Sequence, residues 1–432
     1  MRVLEQFQAE TRDLTFRGQS KEPTTGVFGI KASFLIPGRG EPIQNGAVII
    51  QDTRISWVGS ASSIPAQYSH VRFTHVPVLL PGLWDCHLHI HGFGPKGRHA
   101  DTDVFIGSGA LVGARAAKEL ERTLLAGFTS IREVSGFGGE VAPAIIEGTI
   151  IGPHVYSSFA ALSMTAGHAD MHNLPPETVQ DGMRRGLANY VCDGVPECIK
   201  GVRMQLRRGA KHIKVCASGG VGSLVDDPED AEFSPEELKA IVDEAARAKK
   251  IVAAHCHGKE GIMNALNAGV KTIEHGSYLD EECCHLMKEK GAILIATRTV
   301  IQSGLDNKDE WPPLQYDKML KIAGPHKKAY ALAVKTGVKI ALGTDYLPGN
   351  NGKELAYAVE AGMTPLEAIE ACTATGPETL GVHLAPRSGQ LKEGYDADLI
   401  AVSANPLEDV SILAKVENIT HVWKGGKLFK SP

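Results

Sequence analysis

Two histidines two positions apart, His87 and His89, close an apolar run that opens at Val78. On an extended strand, residues i and i+2 face the same way, so both imidazoles point to one spot. Converging imidazoles at a strand end suit a metal ion, because neutral imidazole is the commonest protein ligand for divalent cations. Three more titratable residues end other apolar runs: His255 after 251–254, His275 after 272–274 and Asp345 after 340–344. His257 lies two beyond His255 and would face the same way, so spacing leaves those two as alternatives. Lys214 lies inside the apolar run 212–216, where a free ammonium would be badly desolvated. Burial lowers a lysine pKa and frees the amine to add CO2. The carbamate so formed offers two anionic oxygens that can bridge two cations. Four imidazoles, a CO2-derived carbamate on Lys214 and the Asp345 carboxylate suit two divalent ions, zinc first.

Positioning such a set takes a scaffold that brings many strand ends together. Eight apolar strand candidates run through the middle of the chain, at 78–83, 129–134, 155–159, 212–216, 251–254, 272–274, 293–296 and 339–343. Helical patterns alternate with them, as at 110–125, 235–249, 261–268 and 327–335. Ser234 with Glu237 and Thr364 with Glu367 form capping boxes, each with proline at the first helical position. Eight strand–helix units in about 300 residues predict an α/β fold, a closed (β/α)8 TIM barrel with its chemistry at the C-terminal ends of the strands. An open doubly wound sheet is disfavoured, since no G-x-G-x-x-G follows the first strand. Short alternating strands flank this region on both sides, including a hairpin pattern at 47–51 and 55–59 and further strands at 397–402 and 421–429. Neither flank can bury a sheet alone, so both ends together predict one small β-sandwich. The expected divisions are 1–79 (tail and first part of the sandwich), 80–384 (barrel) and 385–432 (second part).

The runs GLWDCHLH at 82–89, IK at 213–214, EHG at 274–276 and LGTD at 342–345, with His255, resemble the ligand set of the amidohydrolase superfamily. GQLKEGYDADLI at 389–400 resembles that superfamily's return to its β-sandwich. KVCASGGV at 214–221, ATR at 296–298 and THVWKGGKLFK at 420–430 are similar to fungal ochratoxinase-like amidases and metal-dependent Xaa-Pro dipeptidases. The resemblance implies one metal on His87, His89 and Asp345, a second on His255 and His275, and carboxylated Lys214 between them. It selects His255 over His257. It also implies that His168 contacts the substrate near the scissile group, with His172 a weaker candidate, and that the protein is a homo-oligomer. The implied chemistry is hydrolysis of an acyl–amino acid bond by a hydroxide between two metals, with Asp345 passing its proton to the leaving nitrogen. Gly219 and Gly220 lie in the polar glycine-rich loop 219–228, which can either close over substrate or serve as a plain βα connection. Arg298 can pair a substrate carboxylate bidentately or form a structural ion pair. His91, His99 and His326 read as surface or supporting residues.

Composition narrows the alternatives. The chain of 432 residues is 43% hydrophobic and 22% charged, with a net charge of −5, so it has no basic excess for nucleic acid or anionic membranes. The expected partner is a small-molecule or dipeptide-like substrate with a free carboxylate. The N-terminus shows no apolar signal core and no run long enough to span a membrane, so a cytoplasmic location is expected. The eight cysteines lack CxxC spacing; Cys192 and Cys198 are close enough to bridge but read as reduced thiols. Two other functions compete: a cyclic-amide hydrolase resembling imidazolonepropionases, and a non-catalytic scaffold on the same fold. The scaffold is disfavoured because every ligand position is filled.

Overall fold

The computed structural model describes residues 26–92, 108–345 and 351–432. Both flanks build one seven-stranded mixed sheet. Its first four strands are β1 (Val27–Leu35), β2 (Ile43–Gln51), β3 (Arg54–Ser60) and β4 (Phe73–Pro81). Residue alternation gives this sheet two apolar faces. Leu79, Leu399, Ala401 and Trp423 join the sheet's own core, while Val78, Leu80, Ile400, Val402 and Val422 pack into the main core that also covers the barrel.

The barrel strands follow: β5 (Leu83–Leu88), β6 (Phe128–Glu133), β7 (His154–Ser157) and β8 (Ala161–Ser163), with β9 (Asn189–Val191) an outlying partner of β8. They continue as β10 (Ile213–Cys216), β11 (Val252–Cys256), β12 (Thr272–His275), β13 (Ile293–Ile295) and β14 (Lys339–Ile340). All ladders among them are parallel. β7 pairs with β6 and β8 pairs with β10, so these two pieces share the third barrel position. The ring closes where the Cys86 amide donates to the Leu342 carbonyl at 2.9 Å and the Asp345 amide to the His87 carbonyl at 2.7 Å. The chain then returns to the terminal sheet as β15 (Leu399–Val402), β16 (Ile419–Lys424) and β17 (Lys427–Lys430). The strand order there is β17-β16-β15-β4-β1-β2-β3.

One expected strand divides in two. Residues 78–81 belong to β4, beside β1 and β15, and the first barrel strand begins only at Leu83. Gly82 is the joint: a Cβ there would lie 2.1 Å from Thr129 Oγ1, so the chain can cross between sheets only without a side chain. Both capping boxes form, at Ser234 and Thr364. The helix expected at 327–335 extends over Pro313–Thr336. All eight cysteines, Cys192 and Cys198 included, are buried and free. Among the described residues no helix is long and apolar enough to cross a membrane.

Candidate metal centre at the barrel mouth

His87, His89, Lys214, His255, His275 and Asp345 all line one cavity of about 470 Å³ at the C-terminal ends of the strands. His91, His168, His172 and His257 line it too. Strand ends turn sharply to aim these groups. His275 (φ 73°), Thr297 (φ 54°) and Asp345 (φ 51°) are left-handed non-glycine residues, each costing about 1–3 kcal/mol that the surrounding packing must offset.

Hydrogen bonds behind the imidazoles determine which ring nitrogen faces inward. His87 Nδ1 lies 2.7 Å from the Glu274 carboxylate and His89 Nδ1 2.8 Å from the Ser135 carbonyl, both pure acceptors. Each Nδ1 must therefore carry a proton, which turns Nε2 toward the cavity as the atom available to a ligand. His255 is reversed: Nε2 donates to the Gly219 carbonyl at 3.2 Å, so Nδ1 holds the lone pair. His275 Nδ1 is 2.7 Å from Thr297 Oγ1, and His257 Nδ1 is 2.7 Å from Ser277 Oγ. Burial first, then neighbouring cationic groups, lowers the pKa of His87 to about 4 and holds His255, His257 and His275 well below the usual value.

These acceptors are crowded. His89 Nε2 stands 3.3 Å from Asp345 Oδ1, and His87 Nε2 is 3.9 Å from the same oxygen. An Nε2 facing a carboxylate at that distance can share a proton with it or hold a metal ion between them. The candidate ligand atoms of His87, His275 and Asp345 lie within 4.8 Å of one another, as do those of His255, His257 and His275. Lys214 is 3% exposed, and among the described residues no hydrogen bond or ion pair reaches its ammonium. Burial lowers its pKa, the condition under which an amine takes up CO2. The donor set therefore fits divalent ions, and His257 stands within it alongside His255.

Behind the ligands lies a charged layer that the motif reading passed over. Arg132, fully buried on β6, donates to both Glu274 oxygens (2.6 and 2.8 Å), to Thr272 Oγ1 and to the Cys86 carbonyl. Burial opposes the charge on Glu274, but Arg132 and His87 outweigh it and hold the carboxyl well below its usual range. Asp85 accepts from the His87 and Thr344 amides, Thr344 Oγ1 and Asn351 Nδ2, tying β5 to the end of β14. The signal for Arg132 was the same as for Lys214, a charged residue inside an apolar strand.

His168 reaches the cavity from the loop after β8. Its ring stacks on His255 with centroids 4.2 Å apart, its amide donates to Glu232 at 2.6 Å, and its Nδ1 is 2.9 Å from Ser223 Oγ. Gly219 and Gly220 lie behind the histidines and do not line the cavity; Val221, Gly222, Ser223 and Leu224 of that loop do. A Cβ on Gly220 would sit 2.2 Å from the His168 ring, so this glycine is there for close approach. Arg298 is placed elsewhere. Its guanidinium donates to the Ala323 carbonyl (2.9 Å) and Gln302 (3.1 Å), it does not line the cavity, and a carboxylate-binding role does not follow from this position. His91 stacks on His89, and His326 is buried with Nε2 2.6 Å from the Ala296 carbonyl. His99 lies outside the described residues.

The amidohydrolase family model matches residues 78–429, most of the chain. The chain belongs to the amidohydrolase family. Ochratoxinase from Aspergillus niger is 51% identical over 429 residues, covering 93% of this chain and 86% of that protein. The crystal structure of A. niger ochratoxinase superposes with a TM-score of 0.89, at 50% identity over 94% of this chain and 96% of that one. A Xaa-Pro dipeptidase with methionine bound in its active site gives a TM-score of 0.82, at 29% identity over 94% of this chain and all (100%) of that one. Imidazolonepropionase from Paracoccus denitrificans is more distant, 26% identical over 401 residues, 83% of this chain and 87% of that protein. As a member of this family, the chain is a hydrolase acting on amide bonds.

Proposed function

We propose that the protein is a binuclear, zinc-dependent amide hydrolase that releases an apolar or aromatic amino acid from an acyl–amino acid bond. The observation carrying this reading is the convergence of imidazole lone pairs, the Asp345 carboxylate and the buried Lys214 amine on one cavity. His87, His89 and Asp345 would hold one ion, His255 and His275 the other, with Lys214 between them as a carbamate. Bound there, divalent ions supply an acidified water and polarise the amide carbonyl. Asp345 takes up the proton of the attacking water and delivers it to the leaving nitrogen, without which an amine departs poorly. His168, with Nδ1 engaged by Ser223, presents Nε2 to the substrate beside the scissile bond.

The rest of the lining supports the substrate class. Val221, Val300, Ile301, Met319 and Ile322 form an apolar cluster with Trp311 at the cavity, suited to an apolar or aromatic group. With Arg298 engaged elsewhere, a substrate carboxylate is left to other donors of the lining such as His172, Asn173 and Asn189. The similar Xaa-Pro dipeptidase, with methionine bound in its active site, supports an amino acid leaving group.

Zinc-reconstituted protein should hold close to two ions per chain by elemental analysis, and it should cleave N-acyl amino acids. Amidating the substrate carboxylate should lower kcat/KM by about one to two decades, the loss of a charge-assisted contact worth about 1.5–3 kcal/mol. One ion or fewer would sink the binuclear reading. Equal cleavage of free and amidated substrates would sink carboxylate recognition and favour a cyclic amide, in line with the match to imidazolonepropionases.

A further inference from the structure

Lys318 is a buried cation far from the metal ligands in sequence, on the helix Pro313–Thr336 after the seventh barrel position. Its ammonium donates to three backbone carbonyls, those of Gly220 (3.3 Å), Ser223 (2.9 Å) and Asp226. These use all three donors of the group, and none of the acceptors is a carboxylate. Each of the three residues also touches His168 by another atom. Gly220 packs so close to the ring that a Cβ would fall 2.2 Å from it, Ser223 Oγ is 2.9 Å from Nδ1, and Asp226 Oδ2 is 3.6 Å from the same nitrogen. Asp226 Oδ2 further accepts the Gly220 amide at 2.6 Å, so the cradle is tied to itself. Neighbouring residues of the helix grip adjacent parts of the loop: Gln315 donates to the Gly222 carbonyl, and Lys321 pairs with Asp227 at 3.1 Å and Glu229 at 2.9 Å.

We propose that Lys318 is a positioning residue that shapes loop 219–228 into the cradle fixing the His168 imidazole, so that a helix across the mouth sets the substrate contact. The proposal rests on the reading above that His168 faces the substrate. A neutral side chain would occupy this space at a lower desolvation cost, so the charge is accounted for by the three carbonyls it gathers. No metal ligand hydrogen-bonds to Lys318 among the described residues. Gly219, whose carbonyl accepts from His255, is anchored separately: its amide donates to the Asp230 carbonyl and its carbonyl also accepts from Ser218 Oγ, both at 2.9 Å. Loss of Lys318 should therefore disturb His168 and leave the His255 contact and metal binding intact.

The test is a double-mutant cycle with Lys318→Met and His168→Ala on zinc-reconstituted protein, assayed on N-acetyl-phenylalanine, with zinc content measured for every variant. Lys318→Gln, which keeps two donors, serves if the Met variant does not fold, with a smaller loss expected. Lys318→Met and His168→Ala should each lower kcat/KM by about 10- to 100-fold at unchanged zinc content. The double variant should be no worse than His168→Ala within about two- to threefold, because both changes remove one interaction. Independent of activity, chymotrypsin should cut the loop at exposed Leu224 at least about tenfold faster in Lys318→Met. Multiplicative losses in the double variant, loss of zinc in step with activity, or an unchanged cutting rate would each overturn the role of Lys318. If His168→Ala is fully active, the fault lies with the placement of His168 against substrate, and the cutting rate alone then decides whether Lys318 holds the loop.

Discussion

Asp345 ends the eighth barrel position in a left-handed conformation with its carboxylate against His89 Nε2. A group that moves a proton in the transition state is felt in turnover more than in binding. Asp345→Asn should therefore lower kcat by about 10²–10⁴-fold while KM changes little. Steady-state kinetics at matched zinc content checks this, and a variant keeping most of its kcat would shift the proton to another group. Arg298 gives the opposite expectation. Its guanidinium ties the start of the helix Arg298–Asp306 to the Ala323 carbonyl, so Arg298→Met should lower thermal stability. It should affect free and carboxylate-blocked substrates alike, which paired kcat/KM measurements would reveal. The contrast marks what was legible residue by residue. His87, His89, His255, His275, Asp345 and Lys214 could be read because strand position fixes where such side chains point. Arg298 could not, because it begins a helix and its partners, Ala323 and Gln302, are a matter of packing.

At the level of elements, a single carboxylate holds the turn beneath His275. Glu354, on the helix Lys353–Glu360, accepts from the Arg298 amide (2.9 Å) and from the Thr299 amide (2.8 Å) and hydroxyl (2.6 Å). Just before them, Thr297 supplies the hydroxyl facing His275 Nδ1. Burial pushes the Glu354 carboxyl up to about 7, although its three donors pull the other way. A carboxyl raised on folding stabilises most below its unfolded pKa of about 4.3, and that contribution is lost as pH rises through the folded value. The native protein should accordingly lose stability relative to Glu354→Gln between about pH 4.5 and 7, by on the order of 3 kcal/mol. Denaturation midpoints of both proteins across that range would show it; parallel curves would mean Glu354 is already ionised at acid pH. The elements themselves were legible wherever local chemistry sets them, as at Ser234 and Thr364. β4 was not, because an apolar run looks the same whether it joins a barrel or a neighbouring sheet, and only the fit of Gly82 against Thr129 separates the two.

Over the whole molecule, the two ends of the chain meet in one sheet. β4 is flanked by β1 on one side and by β15 on the other, with Pro81 opposite Leu399. Removing β16 and β17 strips the outer partner from β15 and uncovers Ile400 and Val402, so a chain ending at 418 should be poorly soluble and bind an apolar dye. Soluble yield and dye fluorescence against the full chain test this. During synthesis the consequence falls earlier. Pro81 and Leu399 are 318 positions apart (399 − 81). At about 5–20 residues per second, β4 has left the ribosome roughly 15–60 s before its second neighbour exists. For that time one edge of β4 stands open beside the apolar side chains of Val78 and Leu80. Holdase chaperones are expected to shield the nascent chain during that time, and cells poor in them should yield less of this protein in soluble form.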